Sequence, residues 1–146
     1  MIKRKSNKKI RNATECVFNG IHFKSLLEKN CYIELRRAGF TVEYEPIKFI
    51  LFEGGRVIKP YLHYKKGIQT IEVNKKLLDT SWTPDFIITN EKGNMYIFES
   101  KGFSNDLFPI KLKVFRKLLE TLPYNGIIMV NSKKDCIEAI KWIKNN

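Results

Sequence analysis

This chain has few histidines, few cysteines and no long apolar run. His22 and His63 stand alone, with no second histidine or cysteine at ligand spacing, so a zinc site of the usual kind is not supported. Cys16, Cys31 and Cys136 are odd in number and form no CxxC, which argues against a disulfide framework. They are expected to be reduced and mostly packed, which suits an intracellular compartment. No apolar stretch approaches the roughly 20 residues of a membrane span. The basic start is not followed by an apolar stretch and cleavage site, so no export is expected. Acidic residues are also scarce. The 15 Asp and Glu face 27 Lys and Arg, a net charge of +12 that favours a polyanionic partner, nucleic acid first.

What is present is enough for one folded unit. The 146 residues, 43% hydrophobic and 12% aromatic, lie outside the composition of disordered chains and suffice for a sizeable core. Residues 1–12 form a basic arm, expected to be flexible, in which Lys3, Arg4, Lys5, Lys8, Lys9 and Arg11 meet no acid. Residues 13–146 are expected to be a single domain.

Within it, Val17 to Phe23 is a short hairpin around Asn19-Gly20. Ser25-Leu26-Leu27-Glu28 fits a capping box, and Leu27, Cys31, Leu35 and Ala38 recur at helical spacing until Gly39. Phe40, Val42 and Tyr44 alternate as a strand. Ile47 to Phe52 is a second extended run, which Gly54-Gly55 is expected to turn back. Residues 53–81 are then expected to be a β-rich insertion elaborating the central sheet, with strands at Tyr61 to Tyr64 and Ile68 to Val73 around the turn Lys65-Lys66-Gly67 and Pro60 at an edge. Trp82 to Thr89 and Met95 to Ser100 make a hairpin across the turn 90–94. A helix follows, capped by Ser104-Asn105-Asp106, with Ile110, Val114, Leu118 and Leu122 inward and Lys111, Lys113, Arg116 and Lys117 outward. Ile127 to Val130, continuously apolar, is expected in the sheet interior. The last helix runs from Ser132 to about Lys144, with Cys136, Ile140 and Ile143 inward. The class is α/β (α+β), a central mixed β-sheet flanked by helices.

The chemistry lies in the second hairpin. Asp85 and Glu99 are seven and six residues from the turn centre, so antiparallel pairing sets them nearly opposite. Magnesium takes hard oxygen ligands, usually one or two carboxylates completed by water and phosphate. Lys101, two residues after Glu99, shares its face and can stabilise charge on a phosphorane. Ser100 is expected to offer its backbone carbonyl, its hydroxyl pointing to the opposite face. Glu28 has two readings, helix cap or third carboxylate, and both stay open.

Pro84-Asp85, Glu99-Ser100-Lys101 and the preceding helix bearing Glu28 resemble the PD-(D/E)xK nuclease superfamily. Trp82-Thr83-Pro84-Asp85-Phe86 and Ser25 to Glu28 are similar to the phage junction-resolving endonuclease I branch, and Lys101-Gly102-Phe103 to small phage-encoded nucleases. The resemblance implies a restriction-endonuclease-like core and hydrolysis of DNA with Mg2+, for which Mn2+ can substitute. It makes Asp85 and Glu99 metal ligands, Lys101 the catalytic lysine, and Glu28 a further acid acting directly or through water. Branched DNA such as a Holliday junction is the substrate it points to, cut by a homodimer. The long interval from Asp85 to Glu99 and the insertion at 53–81 depart from compact members. The alternatives are a nicking, repair or recombination nuclease on duplex or single-stranded DNA, and a non-catalytic nucleic-acid-binding module.

Overall fold

The computed structural model describes residues 14–101 and 107–146. The basic arm and the Ser104-Asn105-Asp106 cap lie outside the described residues. The chain enters through β1 (Cys16–Phe18) and β2 (Ile21–Phe23), joined by Asn19 and Gly20 at φ 50° and 75°, the left-handed pair that a tight hairpin turn needs. Helix α1 (Leu26–Arg37) follows, its first turn closed by the Ser25 hydroxyl, which accepts the Glu28 N–H at 3.1 Å.

Four strands form the mixed central sheet: β3 (Thr41–Tyr44), β10 (Phe86–Thr89), β11 (Met95–Ser100) and β12 (Gly126–Val130), in the order β12-β11-β10-β3. Only the β11–β12 pairing is parallel. The Asn90 side chain fixes the β10–β11 turn, accepting the N–H groups of Lys92 and Asn94 at 3.0 and 2.9 Å. The resulting register sets Phe86 opposite Phe98 and Ile87 opposite Ile97.

Strand parity then divides the core in two. Phe86, Ile88, Tyr96 and Phe98 pack with Tyr32 and Leu35 of α1, and with Cys136, Ile140 and Ile143 of α3 (Lys133–Asn145). Ile87 and Ile97 pack with Phe108 and Phe115 of α2 (Phe108–Leu119), and with Phe49 and Trp82. The sheet is thus flanked by helices on both faces. Phe98, fully buried, is a keystone whose truncation to alanine would cost about 3–5 kcal/mol. All three cysteines are free thiols, Cys31 and Cys136 buried. Among the described residues no helix is long and apolar enough to cross a membrane.

Three expectations are corrected. Residues 53–81 do not extend the central sheet, and Gly54-Gly55 does not reverse the chain. Instead, nested pairs make a long two-stranded ribbon. Strand β4 (Phe49–Phe52) pairs with β9 (Thr80–Trp82), β5 (Gly55–Val57) with β8 (Lys75–Leu77), and β6 (Tyr61–Lys65) with β7 (Ile68–Glu72). The chain reverses at Lys66-Gly67, both at positive φ. Gly54 serves close approach: a Cβ there would stand 2.2 Å from the Leu77 carbonyl oxygen.

Second, β12 is an edge strand and not interior, with Met129 exposed. A continuous apolar run tells how much is buried, not which strand lies beside it. Third, the first turns of α2 are rotated from their expected phase. Leu118 and Leu122 pack inward as expected, but Ile110 and Val114 are exposed, while Phe108 and Phe115 are buried and Leu112 packs against them, because the larger aromatic surface gains more from burial.

Candidate active site

The β10–β11 pairing stops at Phe86 and Phe98, and its register, carried one residue further, sets Asp85 across from Glu99. Their contact is direct: the Asp85 N–H donates to Glu99 Oε2 at 3.2 Å. Both are buried, Asp85 at 9% exposure and Glu99 at 4%. Lys101 lies on the Glu99 side as strand parity requires, with Nζ 3.8 Å from Glu99 Oε1 and 4.5 Å from the Phe108 ring centre.

The expectation for Ser100 is corrected. Its hydroxyl does not turn away; hydroxyl and backbone N–H both donate to Asp85 Oδ2 at 2.7 Å. Strand β10 ends at Phe86, so no backbone carbonyl from that strand meets the Ser100 N–H. The Asp85 carboxylate occupies that place, and a short serine side chain reaches it as well.

Glu28 arrives from α1 and is 7% exposed. It takes part in the helix cap and also lines the cleft of the other two carboxylates. Its N–H is capped by Ser25, while its carboxylate accepts from Ser25 Oγ at 3.1 Å, Lys24 N–H at 3.0 Å and the Tyr44 hydroxyl at 2.8 Å. Both oxygens are therefore already engaged by protein donors. Burial, then the bond to Glu28, holds the Tyr44 hydroxyl protonated well above its ordinary range.

Burial dominates the electrostatics of the pair. It pushes the Asp85 carboxyl up to about 6, partly opposed by the Ser100 hydroxyl, with the charge of Glu28 adding to the rise. It pushes Glu99 up to about 8, with the charge of Asp85 as the next cause. Two carboxylates so placed resist carrying two negative charges unless a cation joins them.

These groups line one cleft of about 300 Å³, which holds Glu28, Asp85, Glu99 and Lys101 together with Lys24 and Lys111. Lys24 pairs with Glu45, which sits at φ 44° and donates its N–H to the Asp85 carbonyl at 2.8 Å. That left-handed residue, costing about 1–2 kcal/mol, ties the end of β3 to the site. Lys111 was expected on the outer face of α2. It is half-buried, and its Nζ donates to the Ser81 carbonyl at 3.0 Å across the cleft. Lys113, Arg116 and Lys117 are exposed and line a separate groove of about 730 Å³ with Pro109, Leu112 and Glu120. Lys3, Arg4, Lys5, Lys8, Lys9 and Arg11 lie outside the described residues.

Sequence reasoning missed Lys24, Tyr44 and Glu45 as neighbours of the site. A signal was available: Lys24 directly precedes the helix cap, and Tyr44-Glu45 ends the strand paired with the one that follows Asp85.

Among the described residues no group of three or more His, Cys, Asp or Glu is arranged to hold a metal ion. The donors nonetheless fit magnesium, which binds through one or two carboxylates and keeps most of its waters. Asp85 and Glu99 are such a pair, and Asp85 Oδ1 receives no hydrogen bond from the described residues. Comparisons with protein-family models, curated proteins and solved structures gave no match for this chain.

Proposed function

We propose that this protein is a metal-dependent endodeoxyribonuclease of the PD-(D/E)xK type, with a restriction-endonuclease-like core. The observation that carries the reading is the convergence of Glu28, Asp85, Glu99 and Lys101 on one cleft, with two buried carboxylates whose raised pKa values call for a cation. The net charge of +12 and the exposed lysines of α2 support DNA as the polyanion.

In this reading Asp85 and Glu99 hold Mg2+, with the Ser100 carbonyl beside them. When bound, the ion offsets charge on the phosphate and acidifies an attacking water. Ser100 fixes the Asp85 carboxylate by two hydrogen bonds, so the ligand is oriented before substrate arrives. Lys101 sets its ammonium where negative charge gathers on the phosphate as the water oxygen bonds to phosphorus. The ester P–O bond then breaks, and the proton given up by the attacking water is balanced by the one that the leaving oxygen takes up from solvent. Glu28, engaged by three protein donors, acts through water rather than as a direct ligand. Lys113, Arg116 and Lys117 grip the backbone, which positions DNA without reading sequence. Branched DNA is the proposed substrate, on the resemblance, cut by a homodimer in the host cytoplasm.

The test uses labelled four-way junction, flap, duplex and single-stranded DNA, each with magnesium or chelator. Cutting of the junction that stops with chelator is the expected result. Preference for plain duplex would replace the junction reading by a nicking or repair nuclease. Binding without cutting in magnesium and in manganese would leave a non-catalytic DNA-binding module.

A further inference from the structure

The ribbon is the least covered part of the molecule, with every residue from 55 to 80 exposed. Its charge is one-sided. Between Gly55 and Leu77 it carries Arg56, Lys59, Lys65, Lys66, Lys75 and Lys76 against one acid, Glu72, which pairs with Lys75. Lys59, Lys65, Lys66 and Lys76 meet no acid among the described residues. Arg56 donates to the carbonyl and side chain of Asn74 and stands directly opposite Lys76, a like-charge pair that weakens a ribbon unless an anion covers it. Nearer the tip the two faces differ. One face of β6–β7 carries Leu62 opposite Ile71 and Tyr64 opposite Gln69, with no charge, while Lys65, His63 and Tyr61 share the other.

We propose that this ribbon docks in the major groove of duplex DNA, with the uncharged face of β6–β7 turned to the base edges. The groove, about 12 Å wide, admits a two-stranded ribbon, whose strands lie about 4.8 Å apart. Its floor suits that face: apolar side chains meet thymine methyl groups, and an amide such as that of Gln69 can bond an adenine edge. Phosphates rim the groove above the floor, level with Lys65 on the outward face, and both strands of the ribbon are edges from which long lysines reach them. From Gly55 to the reversal at Lys66, at about 3.3 Å per residue, the ribbon spans up to about 36 Å, one helical turn of DNA. It grows from β4 and β9, and Trp82 at the end of β9 lines the cleft of the carboxylates, so DNA held at the cleft lies within about one turn of the ribbon. Double-stranded RNA fits poorly, because its major groove is deep and narrow. The choice of DNA as the polyanion rests on the nuclease reading.

Fluorescence anisotropy in chelator, on a labelled duplex of about three helical turns, reads binding without cutting. Lys65→Gln, Lys66→Gln and Lys76→Gln together are expected to weaken binding at least tenfold with circular dichroism unchanged, and to lower the slope of log binding constant against log salt by about 0.9 per lost contact. A second measurement assigns the face. Carrying a photoactivatable aryl azide, Tyr64→Cys is expected to cross-link to the duplex well above the wild-type background, and His63→Cys, on the opposite face, is not. A wild type that does not bind duplex would overturn the proposal, as would unchanged binding by the triple variant, equal cross-linking from both faces, or an equal loss on double-stranded RNA of the same sequence. The two readings fail separately. A protein that cuts DNA but binds it alike with and without the three lysines sinks this inference alone, whereas one that binds through the ribbon and cuts nothing in magnesium or manganese sinks the nuclease alone.

Discussion

Replacing Glu99 with glutamine should stabilise the metal-free protein at alkaline pH while removing its ability to cut DNA. The Glu99 carboxyl is raised from 4.5 to about 8, chiefly by burial, so the folded state holds this proton more tightly than the unfolded chain. Below pH 4.5 both states are protonated and nothing is gained or lost. Between pH 4.5 and 8 the unfolded chain gives up the proton first, and wild-type stability falls as pH rises. The shift amounts to about 4 kcal/mol at pH 8 and about 1 kcal/mol at pH 5. Glutamine removes that penalty and retains an oxygen for the Asp85 N–H. It loses the ion pair to Lys101, which at 3.8 Å and partial exposure offsets up to about 1 kcal/mol. The net gain at pH 8, about 3 kcal/mol, corresponds to a melting temperature about 10 °C above wild type, and the two proteins should nearly coincide at pH 5. Thermal melts monitored by circular dichroism at both pH values, in chelator, make the measurement. A variant melting at or below wild type at pH 8 would refute burial as the dominant force on this group. Magnesium should raise the wild-type melt at pH 8 more than the variant's, since the variant keeps only the Asp85 carboxylate of the pair.

Lys101→Ala should lower the cutting rate about 10²–10³-fold with DNA binding retained, while its contact with Phe108 limits the loss of stability to about 1 kcal/mol; single-turnover kinetics and a melt separate the two. Lys113→Gln with Lys117→Gln should reduce the slope of log binding constant against log salt by about 0.9 for each phosphate no longer neutralised, read by fluorescence anisotropy, with the slope unchanged if these side chains are only solvated. Gly54→Ala should destabilise the ribbon root, because its Cβ meets backbone at 2.2 Å; a cost of about 1–3 kcal/mol and faster hydrogen exchange across β5 and β8 are expected, and native exchange rates would contradict this.

The hairpin carrying Asp85 and Glu99 was legible in the sequence because its information is local. Two short apolar runs bound the turn, period two decides which side chains share a face, and an Asn-containing turn with one glycine fixes the register. The same holds for α1, marked by Ser25 at one end and Gly39 at the other. The tip of the ribbon, two strands around Lys65-Lys66-Gly67, was legible for the same reason, but its root was not. Phe49 finds Trp82 across a long stretch of chain, and Gly54-Gly55 looks like a turn although its use is to let two backbones pass closely. The position of β12 depends on sheet order, which no run of four apolar residues encodes. In α2 two apolar stripes compete at helical spacing, and only the aromatic pocket formed by Phe49, Trp82 and Ile97 decides between them. Lys111 followed that rotation into the cleft. Ser100 escaped period-two reasoning because its neighbouring strand β10 begins only at Phe86, two residues short of the position across from it.

The Asn90 turn has a consequence for the order in which the site is assembled. Closing it brings Asp85 and Glu99 together across a short stretch of chain, an event on the microsecond scale for a hairpin. Glu28 must be recruited from far upstream, through α1 docking on the sheet, at a higher loop-closure entropy. On loop length alone the two carboxylates are expected to meet before the groups that hold and screen them. A nascent or partly unfolded chain would carry the charged pair without its surroundings, and only completion of the α1 side would turn two opposed acids into a shaped site.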